Sequence, residues 1–223
     1  MMYRIGVGRT VRMLFALAIF VATFAGHGIA LVSAAGQPGA VYALSNSVAG
    51  NTVVVWNRAS DGTLSLAAAY PTAGLGTGAG LGSQGALILS EDTRWLFAVN
   101  AGSNDISVFR VSPDGLSHTN RIASGGTRPT SLTVHGNLLY VLNAGDSGNI
   151  TGFIVGDDGT LAQLPDSTRP LSGQATAPAQ VQFSPDGRLL VVTERATGRI
   201  DTYVVGADGR ATGPVVEPSS GAV

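Results

Sequence analysis

Three observations in the sequence predict an all-β fold built from a repeated unit of four strands. An aromatic residue stands five positions before an Asp-Gly pair four times, at Trp56, Phe109, Phe153 and Tyr203. A dense apolar run precedes each of these aromatic residues. Gly (31 residues) and Pro (10 residues) interrupt the chain too often for long helices. Because only 6% of the residues are aromatic, their alignment indicates one structural unit in four copies.

Side-chain patterns assign four strands, which we name a to d, to each repeat. Strand a is a short apolar run, expected at 85–90, 129–134 and 178–183. Strand b is a denser run that ends in a polar residue. It is apolar on both faces, which predicts an inner strand covered on both sides. Strand c carries the aromatic residue, and the Asp-Gly pair predicts a hairpin turn into strand d, because Gly accepts a positive φ and Asp bonds its own backbone.

The spacing of the repeats predicts β-propeller blades. Successive Asp-Gly pairs are 53, 44 and 50 residues apart, which suits four strands and three turns. Neighbouring blades would bury one another's faces, so the aromatic column is expected to be core, with about 1.5–3 kcal/mol gained per buried side chain. The expected units are 39–74, 83–124, 127–168 and 176–217. The first has three strands and the others four, so the ring is not closed.

The first 35 residues have the composition of a secretory signal peptide. Three arginines precede an uncharged apolar stretch at 13–25, and small residues at 32–35 offer cleavage sites. Residues 13–35 are also long enough to span a membrane, so an uncleaved N-terminal anchor is the alternative. We expect an exported protein, periplasmic or extracellular, with a partial propeller at 36–223 and no stable membrane association after cleavage.

Composition excludes several classes of function. Beyond residue 35 there are 14 acidic side chains against 10 Arg and no Lys, with no basic stripe, so nucleic-acid binding is disfavoured. The absence of Cys excludes disulfides. His118 and His135 have no partner at ligand spacing, so no metal site is expected.

A Gly-rich stretch at 74–85 contains the pattern G-x-G-x-x-G at 80–85. A dinucleotide site would need a helix after these glycines, but an apolar strand follows. We therefore interpret the stretch as a loop between the first two blades, and no cofactor is expected.

The last strand d is followed by 218–223, where a further strand a would begin. Open strands b and c would expose unpaired backbone groups. Two interpretations remain open: the chain is part of a longer propeller, or it is a short protein that closes as an oligomer through its open blade edges or as a four-bladed ring.

The segment Ser184-Pro-Asp-Gly-Arg188 with the following Leu189–Glu194 resembles the repeat of the lactonase-type seven-bladed β-propellers, which include 6-phosphogluconolactonases and carboxymuconate cyclases. A looser copy lies at 90–100, and the resemblance covers about 39–223, roughly half of a ring. It implies an Arg-His pair after the Pro that opens a strand a, and a Glu at the end of the next strand b. These groups would face the central channel, where Arg binds a carboxylate or phosphate and His or Glu moves a proton.

In this chain Pro178 and Glu194 match that pattern, whereas Ala179 and Gln180 stand where Arg and His are implied. Glu194 is therefore the candidate catalytic residue, the alternative being a solvated strand end paired with Arg195 or Arg199. The candidate ligand-binding residues are Asn100, Asn143, Gln180 and Arg195. The two asparagines share the Glu194 column, and Asx-type turns are their alternative reading.

Two functions follow from these residues. The first is an exported lactonase-like enzyme that hydrolyses or binds a small anionic sugar lactone, with Glu194 and channel arginines taking part. The second is a non-catalytic propeller that binds a ligand, a cell-wall component or a protein, which the missing Arg-His pair favours.

Overall fold

The computed structural model describes residues 39–221, and all of their regular secondary structure is β-strand. The predicted signal peptide lies outside the described residues. Sixteen strands form four antiparallel sheets, of which one has three strands, two have four and one has five. In the described part of the chain, no helix has the length and apolar character needed to cross a membrane.

The four sheets, which we call blades 1 to 4, follow one another along the chain. Blade 1 contains β1 (Gly39–Leu44), β2 (Thr52–Arg58) and β3 (Leu64–Pro71). Blade 2 contains β4 (Leu87–Leu89), β5 (Trp95–Asn100), β6 (Asp105–Ser112) and β7 (Gly115–Ala123). Blade 3 contains β8 (Pro129–His135), β9 (Leu138–Asn143), β10 (Asn149–Val155), β11 (Leu161–Gln163) and β12 (Arg169–Pro170). Blade 4 contains β13 (Pro178–Phe183), β14 (Leu189–Glu194), β15 (Arg199–Val205) and β16 (Ala211–Pro218). This architecture confirms the predicted fold class, one three-stranded blade followed by three complete blades.

Two elements differ from the strand pattern. Strand a of blade 2 is shorter than expected. Gly85 has a positive φ of 73°, and its carbonyl accepts a hydrogen bond from the N–H of Leu132 in blade 3 instead of pairing within blade 2. Strand d of blade 3 is divided into β11 and β12, which pair with opposite ends of β10. Pro165 lies in the gap and has no N–H to donate, and Asp166 follows with a φ of 56°.

The core lies between the blades and follows the alternation of side chains along each strand. In β5, Trp95, Phe97 and Val99 pack towards blade 3, while Leu96 and Ala98 pack towards blade 1. Blade 3 repeats the pattern, since Leu139 and Val141 face blade 2 while Tyr140 and Leu142 face blade 4. Each inner blade is thus covered on both faces.

The aromatic column has the same setting in each complete blade. Phe109, Phe153 and Tyr203 are fully buried, and each packs against the blade that precedes its own. Trp56 lies opposite Val41 on the face of blade 1 that is turned away from blade 2, and it is only partly buried. The equivalence of the four positions supports the repeat on which the fold prediction rests.

The predicted Asp-Gly turns are present between strands c and d. Gly62, Gly159 and Gly209 have φ values of 89°, 80° and 79°, where an L side chain would be strained. The preceding Asp accepts a hydrogen bond from the backbone two residues on, as in Thr160 N–H to Asp158 Oδ1 at 3.0 Å. These turns share one end of the sheets with the a–b turns. We name the opposite end, with the b–c turns and the links between blades, the linker end.

Candidate functional site

The linker end contains the three polar residues that terminate strands b. Asn100, Asn143 and Glu194 are the last residues of β5, β9 and β14, and all three are fully buried. A buried polar group is costly unless it is hydrogen-bonded, so its partners explain its position. In each case one partner comes from the link that leaves the preceding blade.

Asn100 joins blades 1 and 2. Its Oδ1 accepts hydrogen bonds from Asn51 Nδ2 at 2.9 Å and from Thr72 Oγ1 at 2.7 Å, both in blade 1 or its exit. Its Nδ2 donates to Asp105 Oδ1 at 2.6 Å and to Ser107 Oγ at 2.7 Å within blade 2. All hydrogen-bonding positions of the amide are therefore used by the protein.

Asn143 joins blades 2 and 3 in the same way. Its Nδ2 donates to the carbonyl of Ser124 at 3.2 Å, in the link that leaves blade 2, and to Asn149 Oδ1 at 2.8 Å. Its Oδ1 is buried and has no partner in the described part of the chain. Neither asparagine reaches a surface where a ligand could contact it.

Glu194 joins blades 3 and 4 through Ser172. The Ser172 N–H donates to Glu194 Oε1 at 3.0 Å, and Ser172 Oγ donates to Oε2 at 2.6 Å. Thr197 Oγ1 also donates to Oε2 at 2.6 Å. The alternative of a solvated Glu194 paired with Arg195 or Arg199 is wrong, because Glu194 is fully buried and forms no ion pair with either arginine among residues 39–221.

Asp201 is a buried carboxyl beside Glu194 that was not predicted from the sequence. Its Oδ2 accepts the Ser172 N–H at 2.9 Å, so one donor serves two carboxyl groups. Burial and the adjacent Glu194 raise the pKa of Asp201 to about 7. Burial alone would raise the pKa of Glu194, but the hydroxyls of Ser172 and Thr197 and a hydrogen bond from Asp201 lower it. Asp201 lies two residues before buried Tyr203, a spacing that places it on the inward face and could have revealed it.

The openings of strands a hold the inner edges of three blades together. Ser83 Oγ donates to the Thr130 carbonyl at 2.8 Å, and the Gln84 N–H donates to the Ala179 carbonyl at 3.0 Å. Ser131 Oγ accepts from the Val181 N–H at 3.1 Å. The resemblance implies Arg and His at these openings, but this chain uses them for contacts between strands.

Arg195 is the candidate that lies exposed beside these openings. Its guanidinium packs over Gly82, where a side-chain Cβ would lie only 2.7 Å from Nη2. Gly82, with a φ of 63°, belongs to the Gly-rich stretch, which forms an irregular link between blades 1 and 2 as predicted. The stretch thus leaves space for a guanidinium next to Ser83 and Gln84.

Gln180 lies elsewhere. It donates weakly to Gln182 at 3.4 Å, on the face of blade 4 that is turned away from blade 3, beside Val191 and Thr193. A second exposed arginine, Arg128, stands directly before Pro129 at the linker end, with a φ of 54°. The sequence could have indicated Arg128, because it directly precedes Pro129, which opens strand a of blade 3. In the part of the chain that the structure describes, neither Arg128 nor Arg195 forms an ion pair.

Among residues 39–221, no three His, Cys, Asp or Glu side chains approach one another closely enough to hold a metal ion. The described site therefore consists of exposed guanidinium groups at the linker end, next to buried carboxyl and amide side chains that join neighbouring blades by hydrogen bonds.

Comparison with known proteins places the chain among lactonase propellers. Residues 44–169, more than half of the chain, match the family described as "Lactonase, 7-bladed beta-propeller". No curated protein matches the sequence significantly.

Several solved structures share the fold. A Lactobacillus plantarum protein is 15% identical with a TM-score of 0.64, covering 80% of this chain and 52% of its own. A periplasmic gluconolactonase from Pseudomonas aeruginosa is 21% identical with a TM-score of 0.62, covering 82% and 55%. A putative 6-phosphogluconolactonase from Bacteroides fragilis is 16% identical with a TM-score of 0.59, also covering 82% and 55%. At these identities the likeness concerns the fold alone, and the chain spans about half the length of these structures.

Proposed function

We propose, from the premise that this chain belongs to the lactonase family of seven-bladed β-propellers, that it binds a small anionic sugar lactone at its linker end. The observation that carries the proposal is the Arg195 guanidinium, exposed over Gly82 beside the openings of the inner strands. A planar guanidinium suits a carboxylate or phosphate, because it can donate two parallel hydrogen bonds. The names of the solved gluconolactonases support a sugar lactone as the ligand class.

Hydrolysis of the lactone would require a proton-transfer group beside the bound ring. In this arrangement the Glu194 carboxylate is buried and accepts three hydrogen bonds from the protein, so it does not face a ligand. The strand openings at Thr130, Ser131 and Ala179 carry no Arg or His. Two candidate functions therefore share this binding site: an enzyme that hydrolyses the bound lactone, and a non-catalytic propeller that binds the anion without opening it, which these observations favour.

The binding proposal can be tested with 6-phosphogluconate, the stable open-ring acid, as the titrant in calorimetry. A charge-assisted hydrogen bond contributes about 1.5–3 kcal/mol, so Arg195→Gln is expected to weaken binding roughly 10- to 100-fold. Arg188→Gln is the matched control, because Arg188 is also exposed but lies at the opposite end, in the a–b turn. Equal affinities for the two variants would refute the assignment of Arg195.

Lactone opening by the same full chain then separates the two functions. Hydrolysis that falls in Glu194→Gln, without loss of 6-phosphogluconate binding, would support an enzyme in which Glu194 becomes accessible. Binding without any hydrolysis above the spontaneous rate would support the non-catalytic alternative.

We also propose that the protein is exported. The arginines before the apolar stretch at 13–25 and the small residues at 32–35 support cleavage by a signal peptidase. Mass spectrometry of the protein from a periplasmic fraction should find a mature N-terminus near residue 36. Leu17→Arg, which places a charge in the apolar stretch, should leave uncleaved protein in the cytoplasm. An intact Met1 in the membrane fraction of the unaltered protein would indicate an anchor instead.

A further inference from the structure

The junction between blades 3 and 4 buries two carboxyl groups around a single backbone donor. Glu194 in β14 and Asp201 in β15 are both fully buried. The Ser172 N–H lies 3.0 Å from Glu194 Oε1 and 2.9 Å from Asp201 Oδ2, so the two carboxyl groups are close neighbours. Asp201 Oδ1 is buried without a partner among residues 39–221.

One cation lies near this pair: the charge of Arg199 lowers the pKa of Asp201, but burial and Glu194 outweigh it. Arg199 is exposed, and its Nη1 reaches only Ser172 Oγ, at 3.5 Å. Arg195 packs over Gly82, and Arg169 donates to the carbonyl of Thr168. Tyr203 donates its hydroxyl proton to the carbonyl of Pro170 at 2.8 Å.

Apart from Arg199 in β15, the neighbouring strands and the link bring no compensating charge. Glu217 of β16 is exposed and lies opposite Ile200. Strand β13 and the link at 171–177 contain no ionisable side chain. Two neighbouring buried carboxylates with only the exposed Arg199 nearby cannot both ionise without a large penalty.

The hydrogen-bond donors around Glu194 favour a bound proton over a bound metal ion at this site. Glu194 is approached by one N–H and two O–H groups, all of which present hydrogen atoms to its oxygens. A cation would be repelled by these hydrogens. A proton on Asp201 can instead be donated to the Glu194 carboxylate, and it removes one of the two charges.

We propose that Glu194 and Asp201 hold one proton between them, and that this shared proton is a pH-sensitive latch on the junction between blades 3 and 4. The equivalent positions at the other two junctions are the amides Asn100 and Asn143, which bridge blades without a proton to lose. Deprotonation would weaken the attachment of the link at 171–177 to blade 4. The b–c turn after Glu194 also holds this link, because the N–H of Arg195 donates to the Ala177 carbonyl and the N–H of Ala196 donates to the Thr176 carbonyl.

The direction of the pH effect follows from the raised pKa of Asp201, about 7 in the folded protein against about 3.9 in an unfolded chain. The folded state binds the proton more tightly, so this stabilisation is complete below about pH 4 and is lost as pH rises to about 7. One extra bound proton corresponds to a slope of up to about tenfold in the unfolding equilibrium constant per pH unit.

Urea unfolding of the full chain between pH 5 and pH 8 tests this inference. The unaltered protein should become more easily unfolded as pH rises to 7, by up to about tenfold per unit. Asp201→Asn supplies an amide N–H to Glu194 without a titratable proton, so this rise should disappear. Asp186→Asn, an exposed aspartate in the a–b turn at the opposite end, is the matched control and should keep it. His118, whose pKa is lowered by burial, titrates in all three proteins and cancels in the comparison.

Infrared spectroscopy gives a second measurement if Asp201→Asn fails to fold. At pH 6 the unaltered protein should show the carbonyl stretch of a buried protonated carboxylic acid, which disappears as pH rises through about 7. Parallel pH profiles for the unaltered protein and Asp201→Asn, or the absence of this band, would overturn the proposal. The test requires no ligand, so it is independent of the binding function proposed above.

Discussion

The residues that connect the blades are small and polar and occupy one recurring position, where Thr72 and Ser172 bond through their hydroxyls and Ser124 through its backbone carbonyl. Thr72, Ser124 and Ser172 each follow a strand d, and each bonds the residue that ends the next strand b. Because these contacts are buried, each is specific for one arrangement of neighbouring blades. The polar residues at the ends of strands b therefore stabilise the contacts between blades, and this is their main role in the structure.

Truncation of Asn100 measures the strength of such a connection. Asn100→Ala removes four hydrogen bonds, but Asn51, Thr72 and Ser107 each keep another partner within the protein. We therefore expect a loss of about 2–3 kcal/mol in the free energy of unfolding, measured with urea. Asn57→Ala is the control, since Asn57 is exposed in β2, and it should change stability by less than about 0.5 kcal/mol. A comparable loss for both variants would argue against the connecting role.

The sequence could locate some of the site residues but not their environment. The shared position of Asn100, Asn143 and Glu194 was predicted from the apolar strands b that they end, and Arg195 was predicted because it directly follows Glu194. That Glu194 is buried depends on Ser172, which is 22 residues away along the chain. No local pattern links these two residues, because the contact exists only when blade 3 stands beside blade 4.

At the scale of the element, strands and turns were predictable wherever local chemistry decides them. The Asp-Gly turns each depend on a few adjacent residues, and the structure contains them. The shortening of β4 and the division of strand d in blade 3 were not predicted. The first depends on a hydrogen bond from Leu132 in the next blade, and the second on the chain leaving the sheet at Pro165.

At the scale of the whole molecule, the stability of the fold depends on faces that blades share. Phe153 is fully buried between blades 2 and 3, whereas the equivalent Trp56 lies on the outer face of blade 1. The same position of the repeat therefore has two energetic roles, which depend only on whether a blade lies in front of it.

This difference predicts unequal effects of truncation at equivalent positions. Phe153→Ala should lower the free energy of unfolding by about 3–5 kcal/mol, because it opens a cavity in a core that cannot fully collapse. Trp56→Ala should cost less than half as much, since the indole is partly exposed. Urea unfolding of both variants checks this. Similar losses would mean that blade 1 is covered by another part of the protein in solution.

The direction in which the aromatic residues face has a consequence for synthesis. The strand c Phe or Tyr of each complete blade packs against the blade synthesised before it. The link that leaves a blade is hydrogen-bonded to the last residue of strand b in the blade synthesised next. A nascent chain leaving the ribosome can thus cover each sheet as soon as the following one emerges, without waiting for distant partners. Assembly can proceed in the order of translation, with one uncovered apolar face at the growing end in addition to the outer face of blade 1.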